Sequence, residues 1–412
     1  MADDIYCRRN MILGVINGVL FNLAAAFVHS GTLIPLFIAG LTDSKVLIGL
    51  FATIESFGWY FPQLLSGAIV SGRAESLWLY NRMAILRIIC FGGIVALTLF
   101  VGADNPLLLL GGFGILFITY SLSGGIAGVP FMEIVGKTIP IHKRGTFFGL
   151  RMFFGGLLAV AVGPLAKKII DSYEFPIDFG WLFGMAFVCI TLGLISFSFA
   201  KEYPLAQEQP YRGIKNNIRA GFALYRNDAN VRKLVISRIL SFFYLMAMPF
   251  YVIVATERLG ISKAMAATYL SFEMVGYLGL NFLWAWLSNY ISNKQLMKWG
   301  TLCLLVAPVI AIVSLFVNPG YFIFGLAFFF NGAAASGSGM GFLNYLLEIA
   351  GDRDRPISIG LVHTLIAPAA LLSIAGGVVI EFLGLPTMFA ITLGCLIISF
   401  LYVTQLKEPD RS

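Results

Sequence analysis

The sequence predicts an all-α membrane protein with twelve transmembrane helices, arranged as two similar halves of six. Three observations carry this. Apolar residues make up 58% of the chain and charged residues 12%, with a mean hydropathy of +0.86; a soluble domain is about half apolar and a quarter charged. The apolar residues fall in runs of roughly 20, the length a helix needs to cross a bilayer core of about 30 Å. These runs lack the period-2 alternation of barrel strands. Finally, two phrases recur. Residues 123–136 read S-G-G-I-A-G-V-P-F-M-E-I-V-G and residues 338–351 read S-G-M-G-F-L-N-Y-L-L-E-I-A-G, with Ser-Gly and Glu-Ile-x-Gly at the same spacing. Glu55-Ser-Phe-Gly58-Trp-Tyr and Glu273-Met-Val-Gly276-Tyr form the second pair. A carboxylate inside an apolar run is expensive, and two at equivalent places point to a duplicated chain.

In order, the spans are expected near 11–38, 46–71, 80–102, 106–132, 145–170, 179–200, 232–256, 264–289, 298–317, 320–347, 357–383 and 387–406. The first follows a polar start and is too long for a signal-peptide core, so it is expected to remain as an anchor. Connections are short except at residues 201–231, which are polar and basic (Lys201, Arg212, Lys215, Arg219, Arg226). The division predicted is a six-helix bundle over 1–200, a cytoplasmic central loop over 201–231, and a second bundle over 232–412.

Charge sets the orientation. With the N-terminus in the cytoplasm, all but five of the 28 Lys and Arg fall on the cytoplasmic side; the exceptions are Lys45, Lys167, Lys168, Arg258 and Lys263. This positive-inside bias puts both termini inside. The net charge of +7 therefore reflects topology. It does not point to nucleic acid, because no basic stripe interleaves with aromatics in a soluble domain. Cys7, Cys90, Cys189, Cys303 and Cys395 form no C-x-x-C and read as buried small hydrophobes. There is no phosphate-binding Gly-x-x-x-x-Gly-Lys-Ser/Thr loop, no His/Cys metal spacing and no spacing that supports a catalytic triad. Neither an enzyme nor a cofactor is expected.

Twelve helices, a basic central loop and two similar halves resemble the major facilitator superfamily over nearly the whole chain. The resemblance implies two six-helix bundles around a cavity lined by helices one, four, seven and ten, with access alternating as one bundle rocks against the other. It also implies a carrier working as a monomer in a bacterial-type inner membrane, with a small-molecule substrate and a proton as coupling ion. The family's loop after helix two usually reads Gly-x-x-x-Asp-Arg-x-Gly; here Gly67 is present, but Ser71 and Gly72 stand at the Asp and Arg positions. The counterpart after helix eight carries Ala285 and Asn289. In the family an acidic residue at the inner end of helix four or ten pairs with basic residues nearby. The local versions are Glu133 with Arg82 or Arg144, and Glu348 with Lys298 or Arg353, as cytoplasmic gates. Gly163-Pro164 is the core of an antiporter motif without its flanking glycines, since Ala159 and Lys167-Lys168 replace them.

Individual residues carry the functional reading. Glu55 lies about nine residues from the outer end of its span, roughly 13 Å deep at 1.5 Å per residue, and Glu273 is equivalent. A titratable carboxyl at that depth suits proton coupling; the alternative is a pair of glutamates fixing helix packing. His29, on a face with Asn22, Gly18 and Ala25, is the third candidate for proton coupling, the alternative being a histidine bonded to a neighbour. His363 is expected to have a structural or gating role. Arg87, Arg151 and Arg238 sit about seven residues inside cytoplasmic helix ends, where they either snorkel or bind an anionic substrate, with Arg238 favoured for the latter. Asn22, Tyr120, Ser123, Arg238, Asn331, Asn344 and Tyr345 are the substrate-cavity candidates, while the nearby glycines read as packing. The function expected is secondary active transport of a small organic solute, as proton-coupled export by antiport. The alternatives are proton-coupled uptake by symport, and a non-transporting receptor or assembly protein with a transporter-like fold.

Overall fold

The computed structural model describes residues 2–62, 66, 69–70, 75–101, 105–202, 225–226, 228–349 and 366–408. His363, Arg353, Gly67, Ser71, Gly72, Arg212, Lys215 and Arg219 lie outside them. The described residues are helical, with no strand among them. Among the described residues, nine stretches are long and apolar enough to cross a membrane. One of these, Pro368–Thr404, contains Gly384 at φ +84° followed by Pro386. The left-handed backbone there, which glycine adopts without a Cβ clash, divides it into the two spans expected at 357–383 and 387–406.

The remaining departures from twelve clean spans have local causes. Span one is two helices, α1 (Ala2–Phe27) and α2 (Leu33–Ala39), interrupted by a turn in which Thr32 N–H and Ile34 N–H both donate to the His29 carbonyl. Of span two, α3 (Lys45–Tyr60) is described. Next come α4 (Leu77–Phe100), α5 (Pro106–Thr138), α6 (Ile141–Val160), α7 (Val162–Ser172) and α8 (Ile177–Ser198). The α6–α7 break falls at Ala161, so span five is also two pieces. After the central segment run α9 (Ala229–Ser241) and α10 (Tyr244–Glu257). Span eight is the most broken: α11 (Lys263–Ala267), α12 (Tyr269–Gly279), α13 (Asn281–Trp286) and a π-turn at Leu287–Ile291. Then α14 (Asn293–Ser314), α15 (Gly320–Ile349), a 3-10 turn at Ala367–Leu371 and α16 (Leu372–Thr404) complete the chain.

Helix starts follow capping chemistry. The Asn105 side chain accepts from Leu108 N–H and Pro106 opens α5; Asp228 accepts from Asn230 and Val231 N–H; Ser292 accepts from Gln295 N–H. Each satisfies amides that an isolated helix leaves orphaned.

By contact the chain forms two units. The first is Met1–Asp43, Phe51–Tyr211 and Lys263–Ser271; the second is Ser44–Leu50, Arg212–Ser262 and Phe272–Ser412. The first has an aromatic core in which Phe37 meets Phe113, Phe179 and Phe183 at ring-centroid distances of 5.0, 5.3 and 5.1 Å. In the second, Tyr251 stacks on Phe389 at 5.6 Å, and Val231, Leu234, Met297, Tyr345 and Val403 form a buried cluster.

The repeated E-x-x-G phrases mark helix crossings. At Gly58 of α3, an added Cβ would lie 2.3 Å from Ser121 Oγ of α5, and at Gly125 of α5 one would lie 2.3 Å from the Gly58 carbonyl oxygen. In the second unit a Cβ at Gly276 of α12 would lie 1.9 Å from the Phe329 carbonyl oxygen of α15, and at Gly332 1.8 Å from that of Glu273. Only glycine permits these approaches.

Candidate functional site

The first unit encloses a cavity beside the α3–α5 crossing. One lobe, of about 340 Å³, is lined by His29, Ser30, Glu55, Ser56, Tyr120 and Ser121 among others. A second lobe, of about 250 Å³, is lined by Asn17, Asn22, Tyr80, Phe131, Phe148 and Arg151 among others. Phe21, Trp59, Arg87 and Gly124 line both, so the lobes are continuous. The larger lobe alone reaches the lower end of the size range of pockets that take small ligands.

Glu55 is held at the cavity wall by α3. Its carboxylate accepts a hydrogen bond from the Ser30 hydroxyl, and the Arg87 guanidinium is its electrostatic neighbour. Ser121 Oγ donates to the carbonyls of Ile54 (3.0 Å) and Glu55 (3.1 Å), which fixes the turn of α3 that presents the carboxylate. Arg87, on α4, is 5% exposed. Its Nη2 donates to Tyr120 Oη at 2.8 Å, and its guanidinium lies 4.6 Å from the Tyr120 ring centroid and 5.2 Å from that of Phe21. Its Nε–H is buried without an acceptor. At Gly124 an added Cβ would lie 3.3 Å from Arg87 Cζ, so the glycine makes room for the guanidinium.

His29 lies in the α1–α2 turn, outside the helix expected to carry it. Its Nδ1 faces Gly31 N–H (3.3 Å) and Thr32 Oγ1 (3.2 Å). Asn22 lines the cavity and donates to the carbonyls of Gly18 (2.8 Å) and Arg151 (3.3 Å). Arg151, on α6, donates to the Gly14 carbonyl and to Asn17 Oδ1, between the rings of Phe131 (4.6 Å) and Phe147 (5.1 Å). Ser123 sits apart from this group: it is 2% exposed and its hydroxyl donates to the Tyr120 carbonyl of its own helix.

The second unit places its candidates differently. Glu273 is 5% exposed on α12, beside the close approach of α15. Arg238 donates to Ser338 Oγ (3.1 Å) between the rings of Phe242 and Phe342. Asn331 is buried with neither amide atom hydrogen-bonded. Asn344 and Tyr345 belong to ties between segments. Asn344 donates to Ser288 Oγ, which donates to Asn293 Oδ1, and Asn293 Nδ2 donates to Glu348 Oε1. Tyr345, fully buried, accepts from Asn230 and donates to the Lys407 carbonyl. Asn344 and Tyr345, expected as substrate contacts, thus hold helix ends together.

Among the described residues, the gate candidates make the following contacts, with Arg353 lying outside them. Glu133 pairs with Lys137 at 2.8 Å, one helical turn on, and Lys137 also pairs with Glu202 at 2.8 Å. Glu202 Oε2 in turn accepts from the N–H groups of Ser76 and Leu77, capping α4. Arg144 donates to the carbonyls of Gly136 and Ile139, and Arg82 lies over the Trp78 ring. Lys298 is half-buried on α14.

Phe21, Ser30, Trp59, Tyr80 and Asn17 were not singled out in the sequence, and neither Arg87 nor Arg151 was ranked as the principal anion site. A signal existed for Trp59, one turn after Glu55 and so on its face. Arg87 required the knowledge that α4 turns it toward α5.

Residues 234–412 match the family model described as Major Facilitator Superfamily. No curated protein matches the chain. Among solved structures, a D-xylose–proton symporter superposes with TM-score 0.76 at 17% identity, covering 98% of each chain. An auto-inhibited POT family peptide transporter gives 0.72 at 11% identity, covering 97% of this chain and 96% of that one. The nucleoside transporter NupG gives 0.67 at 13%, covering 97% and 98%. The fold is therefore that of the major facilitator superfamily, whose signature the C-terminal half carries, and the chain is a multi-pass integral membrane protein.

Proposed function

We propose that this chain is a secondary active transporter of a small organic solute, coupled to protons through Glu55. The observation that carries this reading is a titratable carboxylate at the wall of a cavity, beside a buried guanidinium and a histidine. A carboxyl that meets both cavity and cation can exchange a proton as its surroundings change. The named relatives move a sugar with protons, peptides and nucleosides; the fold they share supports transport by alternating access.

Two coupling modes compete. Antiport rests on Gly163-Pro164, which lies just after the α6–α7 break. A Cβ at Gly163 would meet Ser271 Oγ at 2.2 Å, and Ser271 donates to the Val160 carbonyl, which is a packing reason for this glycine. Symport is favoured by Glu55 facing Arg87. The test is purified protein in proteoliposomes under an imposed proton gradient, offered D-xylose, uridine, a dipeptide and benzoate. Gradient-driven movement of one of them, lost in Glu55→Gln, is the expected result. Equal movement by wild type and variant would overturn the coupling role.

A further inference from the structure

The cavity of the first unit carries more cation than anion. Arg87 and Arg151 line it with one carboxylate, Glu55. Arg151 is already engaged by the Gly14 carbonyl and Asn17 Oδ1. Arg87 is not fully engaged: it is buried, bonded to Tyr120 through Nη2, and its Nε–H lacks an acceptor. A buried guanidinium is costly unless its charge is paired, and Arg87 lines both lobes of the cavity, where an anion can meet it. Much of the remaining wall is apolar and aromatic, with Phe21, Trp59, Phe131, Phe148 and Met152, and of its neutral polar groups Asn17, Asn22 and Ser121 already bond partners within the protein. A sugar would need many neutral donors and acceptors on such walls. A carboxylate on an apolar body needs one guanidinium and a greasy surface.

We propose that this cavity binds a small organic carboxylate at Arg87, and that it does so with Glu55 protonated. The proposal rests on the reading of the chain as a transporter coupled through Glu55. The groups facing Glu55 are His29 and Ser30 from the α1–α2 turn, Arg87 from α4, and Tyr120 and Ser121 from α5. His29 turns Nδ1 to its own loop, Tyr120 gives its oxygen to Arg87, and Ser121 bonds backbone carbonyls. Arg87 is thus the charged group at Glu55. An ionised Glu55 competes with an incoming carboxylate for Arg87 and repels it. A protonated Glu55 does neither, so proton and substrate each strengthen the other's binding by the same factor. A carrier built this way moves one proton with each carboxylate in the same direction.

The experiment is equilibrium binding to the purified full-length protein, using acetate, benzoate and phenylacetate, each against its amide, at acidic and mildly alkaline pH. At least one carboxylate should bind while its amide does not, with affinity falling as pH rises. Glu55→Gln should hold affinity at its acidic-pH level at both pH values. Arg87→Gln should weaken binding ~10- to 100-fold, the range for a hydrogen bond to a charged group, and Arg87→Lys should restore part of it in a protein of unchanged elution profile. Amides binding as tightly as acids, or none of the six binding, overturns the substrate class. If that happens while Glu55→Gln still abolishes proton-driven transport of xylose, uridine or dipeptide, the coupling reading survives alone. If carboxylates bind with a pH dependence that Glu55→Gln leaves intact, coupling through Glu55 falls.

Discussion

Glutamine at position 55 keeps the shape of the side chain and much of its hydrogen bonding, but it cannot titrate. Glu55→Gln should therefore abolish pH-gradient-driven transport in proteoliposomes while the thermal midpoint of the purified protein stays within a few degrees. Glu273 is the contrasting residue: it occupies the equivalent place in its phrase, yet it is 5% exposed beside the backbone of α15. Glu273→Gln should leave pH-gradient-driven transport at half the wild-type rate or more, measured in the same vesicles. Sequence spacing found both glutamates because a carboxylate in an apolar run stands out. It could not separate them, since tertiary packing makes the difference: Glu55 lines a cavity, whereas Glu273 is 5% exposed beside α15. Ser123, Asn344 and Tyr345 were similarly visible as polar residues in apolar helices, but their partners at Tyr120, Ser288 and Lys407 follow only from tertiary packing.

Among the elements, the N-terminal end of α4 and the C-terminal end of α5 are joined through one lysine. Lys137 serves both Glu133 and Glu202, with side-chain exposures of 8%, 14% and 2%, and Glu202 caps α4. Lys137→Met would leave the two carboxylates without that cation, at a cost on the order of 3 kcal/mol. Thermal unfolding in detergent should shift down clearly for Lys137→Met and less for Glu133→Gln, which keeps Lys137–Glu202 intact. The α12–α15 crossing is the second test. Gly276→Ala places a Cβ 1.9 Å from a backbone oxygen, so the helices must separate, and overpacking of this kind costs roughly 1–3 kcal/mol or more. A lowered melting midpoint, or failure to extract a monodisperse protein, is expected. The broken elements were the hardest to read: hydropathy sees span eight as one apolar run, whereas the backbone divides it between α11, α12, α13 and a π-turn.

For the whole molecule, the Lys and Arg asymmetry predicts the orientation. Asn318 and Glu408 are both exposed and should lie on opposite sides of the membrane. A cysteine at Asn318 should be labelled by an impermeant reagent from outside intact cells, and one at Glu408 only after permeabilisation. The reverse pattern would invert the topology. The class of fold was legible from composition, run length and repeat, because the bilayer leaves a chain few ways to satisfy its backbone. The cavity was not, because its lining is drawn from α1, the α1–α2 turn, α3, α4, α5, α6 and α8, and their mutual rotation is written in no single segment.

The two E-x-x-G crossings bear on how such a chain diverges after duplication. The repeat aligns Ser123 with Ser338 and hence Ser121 with Ser336, yet Gly58 meets Ser121 whereas Gly276 meets Phe329, about two helical turns from the aligned position. The glycine is common to both copies and its partner is not. A smooth spot on one helix accepts any turn of its neighbour, so each copy could settle in its own register without losing the contact. Descent from one ancestral half would leave a shared residue at two unlike junctions, one beside a glutamate that lines a cavity, the other beside a glutamate that is 5% exposed.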